Sequence, residues 1–453
     1  MILDDKKLFG TDGIRGKANT YPITPEIALR VGQALGALLK EKYPEEKQYT
    51  VLIGKDTRLS GYMLEQALAS GLNSMGVWVQ LTGPLPTPGI GFLAQNMRVS
   101  AGLVISASHN PYYDNGIKIF FKDGFKISSK EEKTIEEMVF SKEIKANGVE
   151  VGRTRRIVDA AGRYIVFAKN AFPKNQSLKG LKMVLDCANG SAYKVAPAIF
   201  RELGAEVITL GDKPNGFNIN EESGALYPEK TAEVVLKEGA HVGLSLDGDG
   251  DRLIMVDEKG RILNGDPILG ICAIYLKNQK QLNQGKVVVT HLSNSGLDQS
   301  LSSYGISFIR TDVGDRNVVK KMREENIDLG GESSGHIIFL NHSTTGDACI
   351  AGINVLACMK ETQKSLSSLK DQIQEKPQVS LKVNVKEKVE LSSIPNYDQL
   401  IKDVKENLSN EGRVLIRYSG TEPLVRIFVE GNKQALIQEQ AQKIHAFLEK
   451  QLS

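Results

Sequence analysis

The apolar and polar positions of this chain alternate in a repeated order. Residues 104–120 read VISASHNPYYDNGIKIF. An apolar run meets Ser106, Ser108, His109, Asn110 and Pro111, and apolar residues then return at Ile117, Ile119 and Phe121. That pattern predicts a buried strand, an exposed polar tip carrying Ser108, and a second strand. The same kind of unit recurs. A β-rich run, a polar loop and a helical stretch occur at VLIGKDTRLSGYML (51–64), MVLDCANGSAYKVAP (183–197) and VVVTHLSNSGLDQSL (287–301). A second strand follows a glycine each time, from Gly76, Gly204 and Gly305. The third strands end in polar tips, LVISASHNP, VGLSLDGDGDR and IDLGGESSGH, and β-like returns follow as GIKIFF, RLIMVDE and HIIFL.

Strand–helix–strand order implies parallel pairing through crossover helices. Local signals agree with this. Thr24-Pro25-Glu26 reads as an N-cap, a proline in the first turn and an acid, ahead of the stripe Ile27, Val31, Ala34, Leu35 and Leu38. Ser60 is expected to cap the next helix and Gly76 to end it. The expected architecture is three similar mixed-sheet α/β domains at about 1–153, 154–254 and 255–372. The stretch EKPQVSLKVNVKEKVEL (375–391) reads as a linker into a smaller C-terminal α+β domain, 380–453. Ligands collect at the carboxyl ends of strands in α/β sheets. Each polar tip lies at such an end, and RYSGTEP adds a fourth loop, so one central cleft is expected.

Composition narrows the class. The 453 residues are 41% hydrophobic and 25% charged, and 57 basic against 54 acidic residues leave a net charge of +3. This balance gives no electrostatic reason to expect nucleic acid or a membrane surface as partner. No apolar run approaches the ~18 residues of a membrane span, and MILDDKKLFG lacks the pattern of a secretory signal. Cys187, Cys272, Cys349 and Cys358 form no CxxC and read as buried free thiols, which fits a reducing cytoplasm.

The loops carry the candidate chemistry. DGDGDR (247–252) sets Asp247, Asp249 and Asp251 at alternate positions. Three carboxylates so close repel one another unless a cation sits among them, and all-oxygen ligation suits Mg²⁺, Mn²⁺ or Ca²⁺. An EF-hand would place Glu258 at its twelfth position, but Arg252 stands where that loop needs glycine. Three aspartates leave room on the cation for a phosphate oxygen, so a phosphoryl group on Ser108 could share it. A serine hydrolase fits less well. Adjacent residues on a strand face opposite ways, which places His109 poorly as a base for Ser108, and no GxSxG elbow surrounds the serine.

RYSGTEPLVRIF (417–428) gathers Arg417, Ser419, Gly420, Thr421 and Arg426 into a phosphate cradle of guanidinium forks, hydroxyls and backbone N–H groups. GGESSGH (330–336) offers Glu332 and Ser334 for sugar hydroxyls and His336 for proton transfer. Arg15 in FGTDGIRG and Lys118 beyond the Ser108 tip are either further participants or surface charges.

FGTDGIRG, SASHNP, DGDGDR, GESSGH and RYSGTEP occur in one order. The chain thereby resembles the α-D-phosphohexomutase superfamily over essentially its whole length. GKDTRLSGYMLE, GLVISASHNPYYDNGIKIF, GFNINEESG and TDVGDR make it most similar to the bacterial branch that acts on glucosamine phosphates. The resemblance implies an enzyme that interconverts glucosamine 6-phosphate and glucosamine 1-phosphate through a phosphoserine at Ser108. It implies one Mg²⁺ per chain held by Ser108, Asp247, Asp249 and Asp251, and glucosamine 1,6-bisphosphate as intermediate and activator. Arg15, Lys118 and His336 become catalytic candidates. Glu332 and Ser334 become sugar contacts, and Arg417, Ser419, Gly420, Thr421 and Arg426 phosphate contacts. A cytoplasmic homodimer with a small sugar phosphate as its partner is also implied. A phosphomannomutase/phosphoglucomutase, or a non-catalytic cation-dependent binder of sugar phosphates, is the competing reading. Two positions depart from the family pattern: Ser333 where glutamine is usual, and Tyr418 where proline is usual.

Overall fold

The computed structural model describes residues 7–10, 12–141, 144, 150–409, 412–419 and 423–452. It divides into two compact units. One holds residues 1–293 and 300–373, and the other holds 294–299 and 374–453.

The first unit contains the threefold pattern. Its seven-stranded sheet runs Phe9–Gly10, Gly13–Lys17, Asp114–Phe121, Ala101–Ile105, Thr50–Lys55, Trp78–Pro84 and Thr154–Arg156. The five-stranded sheet runs Ile262–Leu263, Leu253–Asp257, Val242–Leu246, Lys182–Asp186 and Glu206–Leu210. The four-stranded sheet runs Ser307–Thr311, Lys286–Thr290, Leu329–Gly331 and Ile337–Phe339. All three share one core order. The first strand lies between the second and third in parallel pairing, and the return strand pairs antiparallel with the third. The first two sheets reach past the expected boundaries at 153 and 254, through Thr154–Arg156 and Ile262–Leu263.

The third strands Ala101–Ile105 and Val242–Leu246 are buried at every position. This is why they read as continuous apolar runs, since a strand covered on both faces needs no polar alternation. The helix Pro25–Lys42 starts as expected, with Thr24 Oγ1 accepting from the Ile27 amide at 3.4 Å. Its stripe Ile27, Val31, Ala34, Leu35 and Leu38 is buried. Ser60 does not cap the next helix, Ser60–Ser74. Leu59 occupies the cap position without a side-chain bond, and the Ser60 hydroxyl accepts from Asn115 Nδ2 at 2.8 Å. A serine one position inside the helix finds its partner on a neighbouring element instead. All four cysteines are buried and free. Among the described residues no helix is long and apolar enough to cross a membrane.

The helix Ala348–Thr362 is capped by Asp347, which accepts from the Ile350 amide at 3.0 Å and from the Tyr164 hydroxyl at 2.9 and 3.0 Å. Burial pushes the Asp347 carboxyl up to about 6 against those bonds. The folded state therefore holds this proton more tightly than the unfolded chain, and stability falls as pH rises from about 4 to about 6. Asp347→Asn keeps a capping oxygen and removes the buried charge. It is expected to gain up to about 3 kcal/mol at pH above 7 and to match the parent near pH 3. Urea unfolding at the two pH values measures this, and an equal effect at both would contradict it.

In the second unit, the strand order is Gln378–Asn384, Leu424–Glu430, Arg413–Tyr418. Helices Tyr397–Asn407 and Gln434–Leu452 cover one face, burying Val404, Ile437, Ala441, Ile444 and Leu448 with Val425, Ile427 and Val429. The proline-and-lysine stretch does enter a strand, as expected.

Candidate active site

The tip after Ala101–Ile105 is a turn in which Ser108 adopts φ of +51°. It is buried rather than exposed, at 1% of its accessible surface. Ser108 Oγ donates to Asp247 Oδ2 at 2.6 Å, and its amide donates to Ser106 Oγ at 2.9 Å. The chain has left strand geometry here, so His109 does not point to the opposite face. Its Nδ1 lies 3.4 Å from Ser108 Oγ, which corrects the expectation of opposite facing. Burial, and then Arg252 and Arg15, push the His109 imidazole down to about 3, so it is neutral and a weak base. The short bond of Ser108 goes to the carboxylate.

Asp247, Asp249 and Asp251 are all buried, and each turns a carboxylate oxygen to within 4.8 Å of the others. Burial and then repulsion from Asp251 and Asp249 hold the Asp247 carboxyl well above the usual range. Asp249 falls below that range despite burial, because Lys118 and the Thr87 hydroxyl stabilise its charge. Thr87 Oγ1 donates to Asp249 Oδ2 at 2.7 Å, and the Thr87 amide donates to the Asp249 carbonyl at 2.9 Å. Asp249 Oδ1 and Asp251 Oδ1 are buried without a hydrogen-bond partner. Such oxygens are costly unless a cation takes them. The site fits a hard divalent cation, with Ser108 Oγ beside it.

Lys118 is buried, not a surface charge. Its Nζ lies 2.9 Å from Asp249 Oδ2, 3.3 Å from Asp12 Oδ2 and 3.4 Å from Asp251 Oδ2. Burial would lower this ammonium, but Asp12, Asp249 and Asp251 outweigh it and hold it well above its ordinary value. It is a fixed positive charge, so desolvation does not make it a ready base. Lys118→Met leaves those carboxylates uncompensated and is expected to lose about 3–5 kcal/mol of stability without a divalent cation. Added Mg²⁺ should restore part of that loss. Chemical denaturation with and without Mg²⁺ reads both, and a variant as stable as the parent in both conditions would contradict it.

Arg15 stands on Gly13–Lys17 and reaches Asp12 Oδ2 and the Ala107 carbonyl, the latter at 3.4 Å. Lys126 joins Asp12 to Asp315, at 2.5 Å from each carboxylate. His336 is buried, with Nε2 3.9 Å from both Asp251 and Asp315 and Nδ1 unpartnered. The Glu332 carboxylate accepts from the Gly314 amide at 3.0 Å and is raised by burial, against the pull of His336. Ser334 is exposed at the tip of the same loop, and the Ser333 carbonyl accepts from the Gly265 amide at 3.0 Å. In the first unit, then, the structure joins Ser108, the three aspartates, Lys118, Arg15 and His336 into one charge network.

Arg417 and Arg426 are direct cross-strand partners, and Lys382 faces Arg426 on its other side. Ser419 is buried and donates its amide to the Leu424 carbonyl at 2.8 Å. Gly420 and Thr421 lie outside the described residues. Tyr418 packs against the core of this unit, and its hydroxyl accepts from the Val389 amide at 3.1 Å.

The comparisons with known proteins agree with this geometry. Four models of phosphoglucomutase/phosphomannomutase match in order: α/β/α domain I over 6–146, domain II over 162–260, domain III over 264–376 and the C-terminal domain over 381–446. The chain belongs to the phosphoglucomutase/phosphomannomutase family. Within it, a phosphoglucosamine mutase of Bdellovibrio bacteriovorus is 56% identical over 99% of both chains. One of Myxococcus xanthus is 52% identical over 99% of this chain and 98% of the other, and one of Chlamydia caviae is 49% identical over 100% and 99%. A crystal structure of a family protein from Burkholderia thailandensis shares the fold, with a TM-score of 0.82 over 98% and 97% of the chains at 23% identity. An Aspergillus fumigatus N-acetylphosphoglucosamine mutase, solved with GlcNAc-6P and magnesium, does so at a TM-score of 0.69 over 100% and 97%, with 17% identity.

The chain is accordingly a mutase of this phosphohexomutase family. Sequence reasoning missed several participants. Arg252 closes the DGDGDR motif, its guanidinium raised by Asp251, Asp247 and Glu332 against burial. Thr87 lay in the unremarked PLPTPG, whose TP dipeptide at a helix start was the available signal. Asp12 and Asp315 sat inside the quoted FGTDGIRG and TDVGDR, where each reads as a turn residue. Arg58 and Asn220 stood inside the quoted GKDTRLSGYMLE and GFNINEESG, where each reads as a polar loop residue, and Lys126 carried no signal beyond being polar.

Proposed function

We propose that the chain interconverts glucosamine 6-phosphate and glucosamine 1-phosphate through a phosphoserine at Ser108. The observation that carries this is the buried Ser108 hydroxyl bonded to one aspartate of an acidic triad that fits a divalent cation. Full-length relatives named phosphoglucosamine mutase support the substrate.

In this reading Ser108 Oγ, Asp247, Asp249 and Asp251 hold one Mg²⁺, which when bound neutralises charge on the transferring phosphoryl group. Phospho-Ser108 gives that group to a hydroxyl of the bound sugar monophosphate. The O–P bond at Ser108 breaks as a bond to the sugar oxygen forms; the sugar hydroxyl's proton passes to His336, and Ser108 Oγ leaves as the oxyanion and takes up a proton, which restores the hydroxyl that faces Asp247. The bisphosphate then turns over and returns its other phosphate to Ser108. Lys118, fixed in its charged form, and Arg15 stabilise the developing negative charge. His336, with Nε2 3.9 Å from both Asp251 and Asp315, serves as the proton carrier. Glu332 and Ser334 hold sugar hydroxyls. The cradle of Arg417, Ser419, Gly420, Thr421 and Arg426 holds the phosphate that is not reacting. It must accept either phosphate, so it reads charge rather than sugar orientation. Glucosamine 1,6-bisphosphate primes Ser108, and the protein works as a cytoplasmic homodimer.

Phosphorus NMR of the protein with Mg²⁺, trace bisphosphate and equal glucosamine, glucose and mannose 6-phosphates tests the substrate. Glucosamine 1-phosphate is expected first, with Ser333 a tolerated change in the sugar loop. Glucose or mannose 1-phosphate leading would overturn the substrate and keep the chemistry.

A further inference from the structure

Ser108 sits in a left-handed conformation that serine seldom adopts, so something outside the residue must hold it there. Two side chains from loops that follow strands of different sheets grip its carbonyl. Arg58 Nη2 donates to the Ser108 carbonyl at 3.0 Å and to that of Asn110 at 2.8 Å. Arg58 Nη1 reaches the carbonyls of Pro111 and, at 3.0 Å, Asp114. The guanidinium is fully buried, with Asp56 as its counter-charge at 2.8 Å. Asn220 comes from the other direction, from the segment after the strand Glu206–Leu210. Its Nδ2 donates to the same two carbonyls, Ser108 at 2.9 Å and Asn110 at 3.1 Å. Asn220 is nearly buried and holds φ of +57°, anchored by its amide to the Ala188 carbonyl at 2.9 Å. Gly248 closes the same space: a Cβ there would lie 2.6 Å from the Ser108 carbonyl oxygen.

These groups act on the main chain, not on the reacting oxygen. We propose that Arg58 and Asn220 are positioning residues that lock the Ser108 peptide from two loops, one following a strand of each sheet, keeping its Oγ aimed at Asp247 whether or not it carries phosphate. The inference rests on the phosphoserine reading above. Group transfer needs reacting atoms held near attack distance, and a shift of about 1 Å costs about 10²-fold in rate. A serine that alternates between a neutral hydroxyl and a doubly charged phosphate would otherwise relax its strained turn in one of the two states. Asn220 also makes the reactive loop on the first sheet depend on the second, which carries the acidic triad.

Asn220→Asp is the sharpest test. Aspartate keeps the shape and tolerates positive φ, but it replaces two donations with an acceptor facing two carbonyls. We expect kcat to fall about tenfold or more while the calorimetric Kd for glucosamine 6-phosphate stays within about twofold, with the phosphorus resonance of phospho-Ser108 shifted or broadened. Asn220→Gly removes the donor without adding charge and fits the same backbone, so it decides the matter by the same split should the aspartate variant fold poorly. Full kcat and an unchanged phosphoserine resonance in a folded variant would overturn the proposal. If the parent enzyme itself never carries phosphate on Ser108, the phosphoserine reading fails instead, and the two failures are thereby distinguished.

Discussion

Ser108→Ala is expected to lower turnover on the order of 10⁴-fold or more while sugar-phosphate affinity changes little. The hydroxyl is the only part removed. It lies 2.6 Å from Asp247 and is the atom that would form and break the bond to phosphorus. The proposed sugar and phosphate contacts, Glu332, Ser334, Arg417 and Arg426, are untouched by this change. The loss should therefore fall in kcat and leave binding intact, the pattern of an interaction made in the transition state. Alanine also removes the donor to a carboxylate already destabilised by burial and by Asp249 and Asp251. Divalent-cation affinity should fall in this variant, since Ser108 Oγ is one of the proposed ligands of the ion. Calorimetry with glucosamine 6-phosphate and with Mg²⁺, beside steady-state kinetics, reads both effects. Turnover near that of the parent would remove the central step.

Chelation of divalent cations, or Asp251→Asn, is expected to have the next largest effect. Three carboxylates converge within 4.8 Å, and two of their oxygens are buried without partners. Without a cation, burial and the neighbouring Asp251 and Asp249 hold the Asp247 carboxyl well above its ordinary range. Proton and cation compete for this group, so apparent metal affinity should fall as pH falls. Neutralising Asp251 removes one ligand and weakens the pull on the ion. Affinity should drop at least about 10²-fold, and turnover at limiting Mg²⁺ should drop with it. Lys118 would then have one fewer carboxylate partner. Excess chelator should abolish turnover reversibly, with Mg²⁺ restoring it. Turnover unchanged in excess chelator would contradict the role given to the triad.

The repeated fold was legible because its signals are local. Apolar runs of five, glycines after helices and polar tips at strand ends predict the threefold unit and its parallel pairing, down to the antiparallel return strands. The chemistry of the tips was legible for a related reason. DGDGDR and the serine turn each compress their functional groups into a few residues, so spacing alone implies convergence. What stayed hidden depends on contacts distant in sequence. Asp12 and Lys118, or Asn220 and Ser108, are about a hundred residues apart and meet only in the folded chain. His109 was misjudged because strand alternation was carried past Ile105, the last strand residue, into a turn where it no longer holds. Lys118 was left between a base and a surface charge because sequence shows neither its burial nor the three carboxylates that fix its proton.

The proposed reaction passes phosphate through Ser108. Its most direct test is a chase. The protein is labelled with radioactive glucosamine 1,6-bisphosphate in Mg²⁺, the labelled peptide is located by mass, and unlabelled glucosamine 6-phosphate is then added under rapid quench. Label is expected on Ser108, leaving the protein at least as fast as turnover and appearing in sugar phosphate, not in inorganic phosphate. Label on another residue, or label on Ser108 that leaves more slowly than the enzyme turns over, would contradict it.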